Sequence, residues 1–258
     1  MKSIKLKYRK YFIPRTIKIQ VPEYFSELTD VQFIQFVKLF SNEITIDDQI
    51  LFVKHFLNIE DEIFVKFDTE QIVKLLSLQN SLFEKIETNS FFIKNIAPNK
   101  SYLVSPKEKL KDLTFSEFIF ADTFYMYYIK SENIEYLDKF INCLYKEYFI
   151  NRIAHTDKLD EYFDKYSTAL SSMDIDIKKA ISFNYQLVRN WLEKQYIHIF
   201  EENDSTESQP TSKNQQSSWH KILISLAVDV TKIEEIGRQN VHTTLTWLDE
   251  KIKENPKN

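Results

Sequence analysis

Glycine is almost absent from this chain, because Gly237 is the only one among 258 residues, where ordinary usage of about 7% would supply roughly eighteen. Glycine lets a backbone adopt positive φ and approach a ligand closely. Phosphate loops, dinucleotide-binding turns and the strained turns under catalytic serines depend on that freedom. The motifs of these enzyme classes are therefore missing, and we expect a protein that is not an enzyme and binds no cofactor.

Cysteine and long apolar runs are also scarce. The single cysteine, Cys143, excludes an internal disulfide. No apolar run approaches the roughly 20 residues of a membrane-spanning helix. The charged N-terminal residues contain no apolar stretch of the kind found in signal peptides. We therefore expect a cytoplasmic protein with no membrane partner.

The histidines lack the spacings of common metal sites. None of the five belongs to a His-Glu-x-x-His or Glu-x-x-His motif, so we expect no metal site. His198 and Glu202 are spaced for one helix face, but a solvated pair near a helix end is the favoured interpretation. Cys143 and His155 have the residue types of a nucleophile pair, whereas the apolar neighbours of Cys143 favour a buried thiol.

Helical patterns dominate what is present. Thr29 with Gln32, and Thr114 with Glu117, have the spacing of capping boxes, in which side chains satisfy the free amides at a helix start. Apolar residues recur at helical spacing in six further segments: 46–57, 70–85, 132–148, 157–170, 176–200 and 219–228. A last helix is expected from Thr231. The predicted fold class is mainly α, a multi-helix domain with one or two short β-hairpins and a C-terminal helical hairpin.

Two segments have the period of β-strands. Apolar and basic residues alternate over 4–9 and again over 17–21, which predicts an N-terminal hairpin with one basic face. The runs 91–97 and 101–104, on either side of Pro98 and Asn99, predict a second hairpin.

The domain organisation follows from composition. Residues 201–218 contain no large apolar side chain and are rich in Ser, Gln and Asn, so we expect a flexible polar linker. It would separate a mainly helical domain over 1–200 from a C-terminal helical hairpin over 219–258. That hairpin either serves as a tethered docking element or packs on the main domain.

The N-terminal hairpin is the most plausible functional surface, because the first 18 residues carry lysine and arginine but no acidic residue while the remainder is acidic. Candidate contacts are Lys5, Lys7, Arg9 and Lys18. They suit nucleic-acid phosphates, with Tyr8, Tyr11 or Phe12 available to stack on bases. They equally suit an acidic protein partner, or protection of strand edges from association.

Gly237 lies inside a predicted helix, where glycine costs about 1 kcal/mol relative to alanine. It shares an apolar stripe with Ile233 and Val241. The position predicts a close helix crossing; a substitution tolerated without a packing reason is the alternative.

The two Leu-Thr helix starts resemble each other. Each follows a strand and a proline, and they lie 85 residues apart. An internal duplication is one explanation, and two independently good helix starts are the other.

The order of these features resembles uncharacterised helical proteins of tailed-phage and prophage structural gene clusters in Bacteroidetes-type hosts, and more loosely resembles tail-assembly chaperones. The resemblance is carried by the Thr29 and Thr114 helix starts, Ala121-Asp122, Leu144-Tyr145 and Trp219 after a polar linker. It implies a non-enzymatic role in virion or tail assembly, with other phage structural or assembly proteins as partners. A nucleic-acid-binding regulator that uses the basic hairpin is the alternative.

Overall fold

The computed structural model describes residues 2–40, 45–83, 86–200, 219 and 232–254. Contacts divide the chain into two compact units, Met1–Thr88 and Asn89–Asn258. Residues 89–200 belong to the same unit as the described C-terminal helices. The predicted linker over 201–218 lies outside the described residues.

Among the described residues, the first unit contains a hairpin and four helices. Strands β1 (Lys2–Lys10) and β2 (Ile13–Val21) pair antiparallel. A 3-10 turn at Phe25–Glu27 leads to the helices α1 (Asp30–Phe40), α2 (Ile46–Phe56), α3 (Asp61–Phe64) and α4 (Thr69–Phe83). Its core is rich in phenylalanine, and the rings of Phe25 and Phe36 meet edge to face at 5.2 Å.

The second unit combines a small sheet with helices. Strands β3 (Asn95–Ile96), β4 (Leu103–Val104) and β5 (Lys146–Glu147) form an antiparallel sheet in that order. The helices are α5 (Phe115–Ser131), α6 (Ile134–Leu144), α7 (Arg152–Thr156), α8 (Leu159–Ser171), α9 (Ile175–Gln195), α10 (Ile197–Phe200), α11 (Lys232–Arg238) and α12 (Val241–Glu254). The predicted fold class, mainly α with short hairpins, is confirmed.

Both predicted capping boxes are present. The amide of Gln32 donates to Thr29 Oγ1 at 3.2 Å and the amide of Thr29 donates to Gln32 Oε1 at 3.0 Å. Thr114 and Glu117 exchange the same pair of bonds at the start of α5. A third box, which the sequence analysis did not predict, joins Thr45 and Asp48 at the start of α2.

Two predicted helices are shorter than expected. The helix over 132–148 is wrong beyond Leu144, because Tyr145 leaves the helical conformation and its hydroxyl donates to the carbonyl of Ile93 at 2.5 Å. The chain then continues as β5, which pairs with β4. The helix over 176–200 is interrupted at Tyr196, whose hydroxyl lies 2.6 Å from His242 Nδ1.

The described C-terminal residues pack within the second unit. The amide of Phe115 donates to the carbonyl of Gln239 at 2.8 Å, and the amide of Val241 donates to the carbonyl of Leu113 at 3.0 Å. Val241, Leu245 and Leu248 are buried. Residues 232–254 are therefore packed on the rest of the second unit in this structure. The helix predicted over 219–228 lies outside the described residues except for Trp219, which is helical.

Candidate interaction surface

The N-terminal hairpin turns through two residues that are unusual for such a turn. Tyr11 and Phe12 have φ values of 51° and 65°. A two-residue hairpin turn with positive φ at both positions ordinarily contains asparagine and glycine, because other side chains meet the backbone there. The left-handed conformation costs roughly 1–2 kcal/mol for such a residue, so the aromatic pair is kept at a cost in stability.

The two aromatic side chains at this turn are also exposed. Tyr11 is 84% and Phe12 is 96% exposed, so neither ring contributes to a core. Large apolar side chains in such positions are available for contact with another molecule. Tyr8, by contrast, lies on the face of the hairpin opposite to Lys7 and Arg9 and is only partly exposed.

One face of the hairpin carries the predicted cations. Lys5 pairs directly with Lys18 across the strands, and Lys7 and Arg9 follow on the same face because side chains alternate along a strand. All four are exposed. None of them forms an ion pair within the described parts of the chain. Two like charges placed directly opposite each other are unfavourable for the hairpin itself, so the arrangement does not serve its folding.

The opposite face anchors the hairpin to the first unit. Leu6, Ile19 and Val21 are buried. The side-chain amide of Gln71, on α4, donates to the carbonyl of Lys7 at 2.8 Å. The Lys10 ammonium lies 3.6 Å from a Glu62 carboxylate oxygen. The basic face is therefore presented by a strand pair that is fixed on its other side.

A buried polar cluster surrounds Glu117 in the second unit. His155 Nδ1 lies 2.5 Å from Glu117 Oε1, and both side chains are fully buried. Arg152 Nη1 is 3.6 Å from the same oxygen. Because Glu117 Oε2 accepts from the amide and hydroxyl of Thr114, the carboxylate fastens the start of α5 to α7. These contacts have a structural role, because they hold α5 and α7 together.

Cys143 does not have the environment of a nucleophile. The residue is fully buried, and burial together with the charge of Glu117 raises the pKa of its thiol well above the usual range. A reactive cysteine requires a lowered pKa and access to substrate. The expectation of a buried thiol is confirmed. The proposed partner of His198, Glu202, lies outside the described residues.

A second buried cluster centres on Asp122, which sequence reasoning did not single out as a charged site. Asp122 Oδ1 accepts from Tyr185 Oη at 3.0 Å and from Arg189 Nε at 2.8 Å, and Oδ2 accepts from Trp219 Nε1 at 2.9 Å. Burial raises the pKa of the Tyr185 phenol well above its usual value, so the phenol remains a donor. The partners are too distant in sequence for a local pattern to reveal them.

Gly237 lies at a close crossing of α11 and α5. A Cβ atom at this position would be 2.1 Å from Ser116 Oγ and 3.4 Å from Ser116 Cβ. Its φ is not positive. The absence of a side chain therefore serves helix proximity rather than backbone conformation.

Metal clusters and membrane-spanning helices are both missing among the described residues. Within the residues that the structure describes, no group of three or more His, Cys, Asp or Glu side chains is arranged to hold a metal ion. In the same residues, no helix has the length and apolar character needed to cross a bilayer. Comparisons with protein-family models, curated proteins and solved structures find no match to this chain.

Proposed function

We propose that this chain is a non-enzymatic interaction protein that binds the acidic surface of a partner protein through the basic face of its N-terminal hairpin. The observation that carries the proposal is the set of four exposed cations, Lys5, Lys7, Arg9 and Lys18, without an ion-pair partner among the described residues. Complementary charge accelerates association and suppresses wrong partners. The resemblance to phage and prophage structural-module proteins supplies the context, assembly of a virion or tail.

Charge reversal on the two hairpin faces tests the proposal. Lys5→Glu with Lys18→Glu places acidic residues on the basic face, whereas Arg15→Glu changes an exposed cation on the other face of the same hairpin. The measurement is capture of the proteins that the neighbouring genes encode, at low and high salt. We expect capture to fall at least tenfold in the double variant and to persist in the control, with wild-type capture weakening as salt rises. Equal capture by the wild type and the double variant would show that the hairpin does not take part in the interaction.

The second candidate function is binding of single-stranded nucleic acid by the same face. The observation that favours it is the exposure of the Tyr11 and Phe12 rings beside the cations, since bases stack on exposed aromatic rings for about 1–3 kcal/mol each. Fluorescence anisotropy with a labelled single strand measures this binding. Affinity should fall steeply with salt and drop at least fivefold on Tyr11→Ala with Phe12→Ala. A flat salt response would reject this candidate and leave the protein partner.

A further inference from the structure

The second unit contains a cleft with an excess of positive charge. Its volume is about 930 Å³. It is bordered by the sheet strands, the start of α7 and the end of α11. Five cationic side chains line it against two acidic ones, Glu108 and Asp112; the cations are Lys94, Lys107, Lys146, Arg152 and Arg238. None of the residues that line it belongs to the hairpin used in the proposed function.

The acidic residues of the cleft form no ion pair with its lysines within the described residues. Asp112 accepts from Arg152 Nε at 3.2 Å through Oδ2 and from the backbone amide of Lys107 at 2.7 Å through Oδ1. Arg238 pairs with Asp157 at 2.9 Å. In the described parts of the chain, no carboxylate lies within ion-pair distance of Lys94, Lys107 or Lys146.

Two of the cations that line the cleft are shielded from solvent: Lys146 is partly buried and Arg152 is buried. Burial lowers the pKa of Lys146, and the charge of Arg152 lowers it further. The Arg152 side chain is 5% exposed. Its Nη1 donates to the carbonyl of Leu144 at 2.7 Å, whereas Nη2 has no hydrogen-bond partner among the described residues. An anion bound here would relieve the repulsion between these groups.

We propose that this cleft binds a phosphate monoester of a small organic group. Lysine ammonium groups act as point charges that suit phosphate, and three of them without carboxylate partners favour a dianion over a monoanion. Tyr148 and Ile153, which are 60% and 50% exposed, provide apolar surface for the organic part. The volume falls within the range of roughly 300–1,000 Å³ typical of small-molecule sites.

Titration of the full chain with phenyl phosphate tests the proposal by calorimetry at fixed salt. We expect saturable binding with a Kd on the order of 1 mM or tighter. Benzoate has the same ring and a single charge, so it should bind at least fivefold more weakly. No saturable binding of phenyl phosphate, or benzoate binding as tightly, would overturn the assignment.

Variants locate the site on the protein. Lys146→Gln and Lys107→Gln should each weaken phenyl phosphate binding at least fivefold, and Lys107 is exposed, so its loss leaves the core intact. Lys179→Gln removes an exposed lysine that does not line the cleft and should leave affinity unchanged. Lys5→Glu should also leave it unchanged, which separates this site from the hairpin. Unaltered affinity in both cleft variants would refute the proposal.

A spectroscopic measurement separates binding from a structural effect. NMR titration of the Lys146 side-chain nitrogen should show its pKa rising when phenyl phosphate saturates the protein, because the anion favours the charged ammonium. The Lys179 nitrogen serves as the reference and should not respond. A Lys146 titration curve that is the same with and without ligand would contradict the assignment.

Discussion

Asp122 illustrates how one side chain organises a core in this chain. Its two carboxylate oxygens accept three hydrogen bonds, from Tyr185, Arg189 and Trp219, and the residue is 2% exposed. A buried carboxylate is stable only when it is paired and hydrogen-bonded. The partners come from α9 and from beyond residue 218, so the carboxylate ties the C-terminal segment to α5.

Replacing Asp122 should therefore be costly. Asp122→Asn removes the more deeply buried of the two carboxylates that pair with Arg189, the other being that of Glu193. Because breaking a buried pair typically destabilises by about 3–5 kcal/mol and Glu193 remains, we expect a loss near the lower end of that range. Urea unfolding followed by circular dichroism measures the loss. Asp164→Asn changes an exposed residue on α8, and we expect a change within about 0.5 kcal/mol. A similar, small effect for both variants would show that the cluster contributes little.

Glu147 gives the second unit a dependence on pH. Burial raises the pKa of this carboxyl, but hydrogen bonds from Lys165 and Tyr166 together outweigh burial and lower the pKa from its ordinary value of 4.5. The folded pKa is thus lower than the unfolded one. Its contribution to stability is present above about pH 4.5 and is lost as the pH falls through the folded pKa.

Glu147→Gln tests this dependence. At neutral pH the variant should be less stable than the wild type by up to about 1 kcal/mol, a magnitude reduced by solvent screening. The difference should shrink on acidification, because the wild type loses its carboxylate. Denaturant titrations at a series of pH values measure it. A difference that is constant over the whole acidic range would contradict the assigned shift.

The Tyr11–Phe12 turn between β1 and β2 should have opposite effects on stability and on binding. Tyr11→Asn with Phe12→Gly installs the residues that this turn ordinarily contains. Because the left-handed conformation would no longer be strained, we expect the first unit to gain about 1–2 kcal/mol, as measured by its unfolding transition. Binding of a labelled single strand should weaken in the same variant, since the exposed rings are gone. A loss of stability would show that the rings support the fold.

The close crossing of α11 and α5 predicts that the effect of Gly237→Ala on stability depends on Ser116. Gly237→Ala adds helix propensity of about 1 kcal/mol, but its Cβ meets the Ser116 hydroxyl. In a Ser116→Ala background the obstruction is removed, so Gly237→Ala should stabilise by up to about 1 kcal/mol. In the wild-type background the gain should be smaller. A double-mutant cycle measures this coupling, and equal effects in both backgrounds would contradict the close crossing.

Local sequence patterns predicted the elements whose structure depends on a single segment of the chain. The alternation over residues 4–9 gave β1 and its basic face, and the Thr29 and Thr114 capping boxes gave two helix starts. The third strand of the small sheet was not predicted, because β5 depends on pairing with β4, more than 40 residues earlier. The Asp122 cluster was missed for the same reason, since its partners are 63, 67 and 97 residues away.

At the scale of the whole molecule, the two units repeat one order of elements. In each, an antiparallel strand pair is followed by a 3-10 turn, at Phe25–Glu27 in the first unit and at Glu108–Leu110 in the second. A helix that begins with a capping box comes next, α1 in the first unit and α5 in the second. The boundary between units, at Thr88 and Asn89, has no proline or glycine to mark it. The sequence therefore revealed the two similar helix starts but not the division between them.

The division predicts independent folding of the second unit. Residues 89–258 contain their own buried core, so this fragment should give a cooperative unfolding transition and a helical circular-dichroism spectrum when expressed alone. The midpoint in urea should match one of two transitions of the full chain. A fragment that lacks a cooperative transition would show that the units depend on each other.

Phe200 and Trp219, the residues on either side of the stretch 201–218, are in contact with each other. The Trp219 ring lies 5.9 Å from that of Phe200 and also meets Phe115 and Phe118. A single nick by a protease anywhere within 201–218 would consequently not release the carboxyl-terminal peptide. The two fragments would elute together in size-exclusion chromatography under native conditions and would separate only in denaturant.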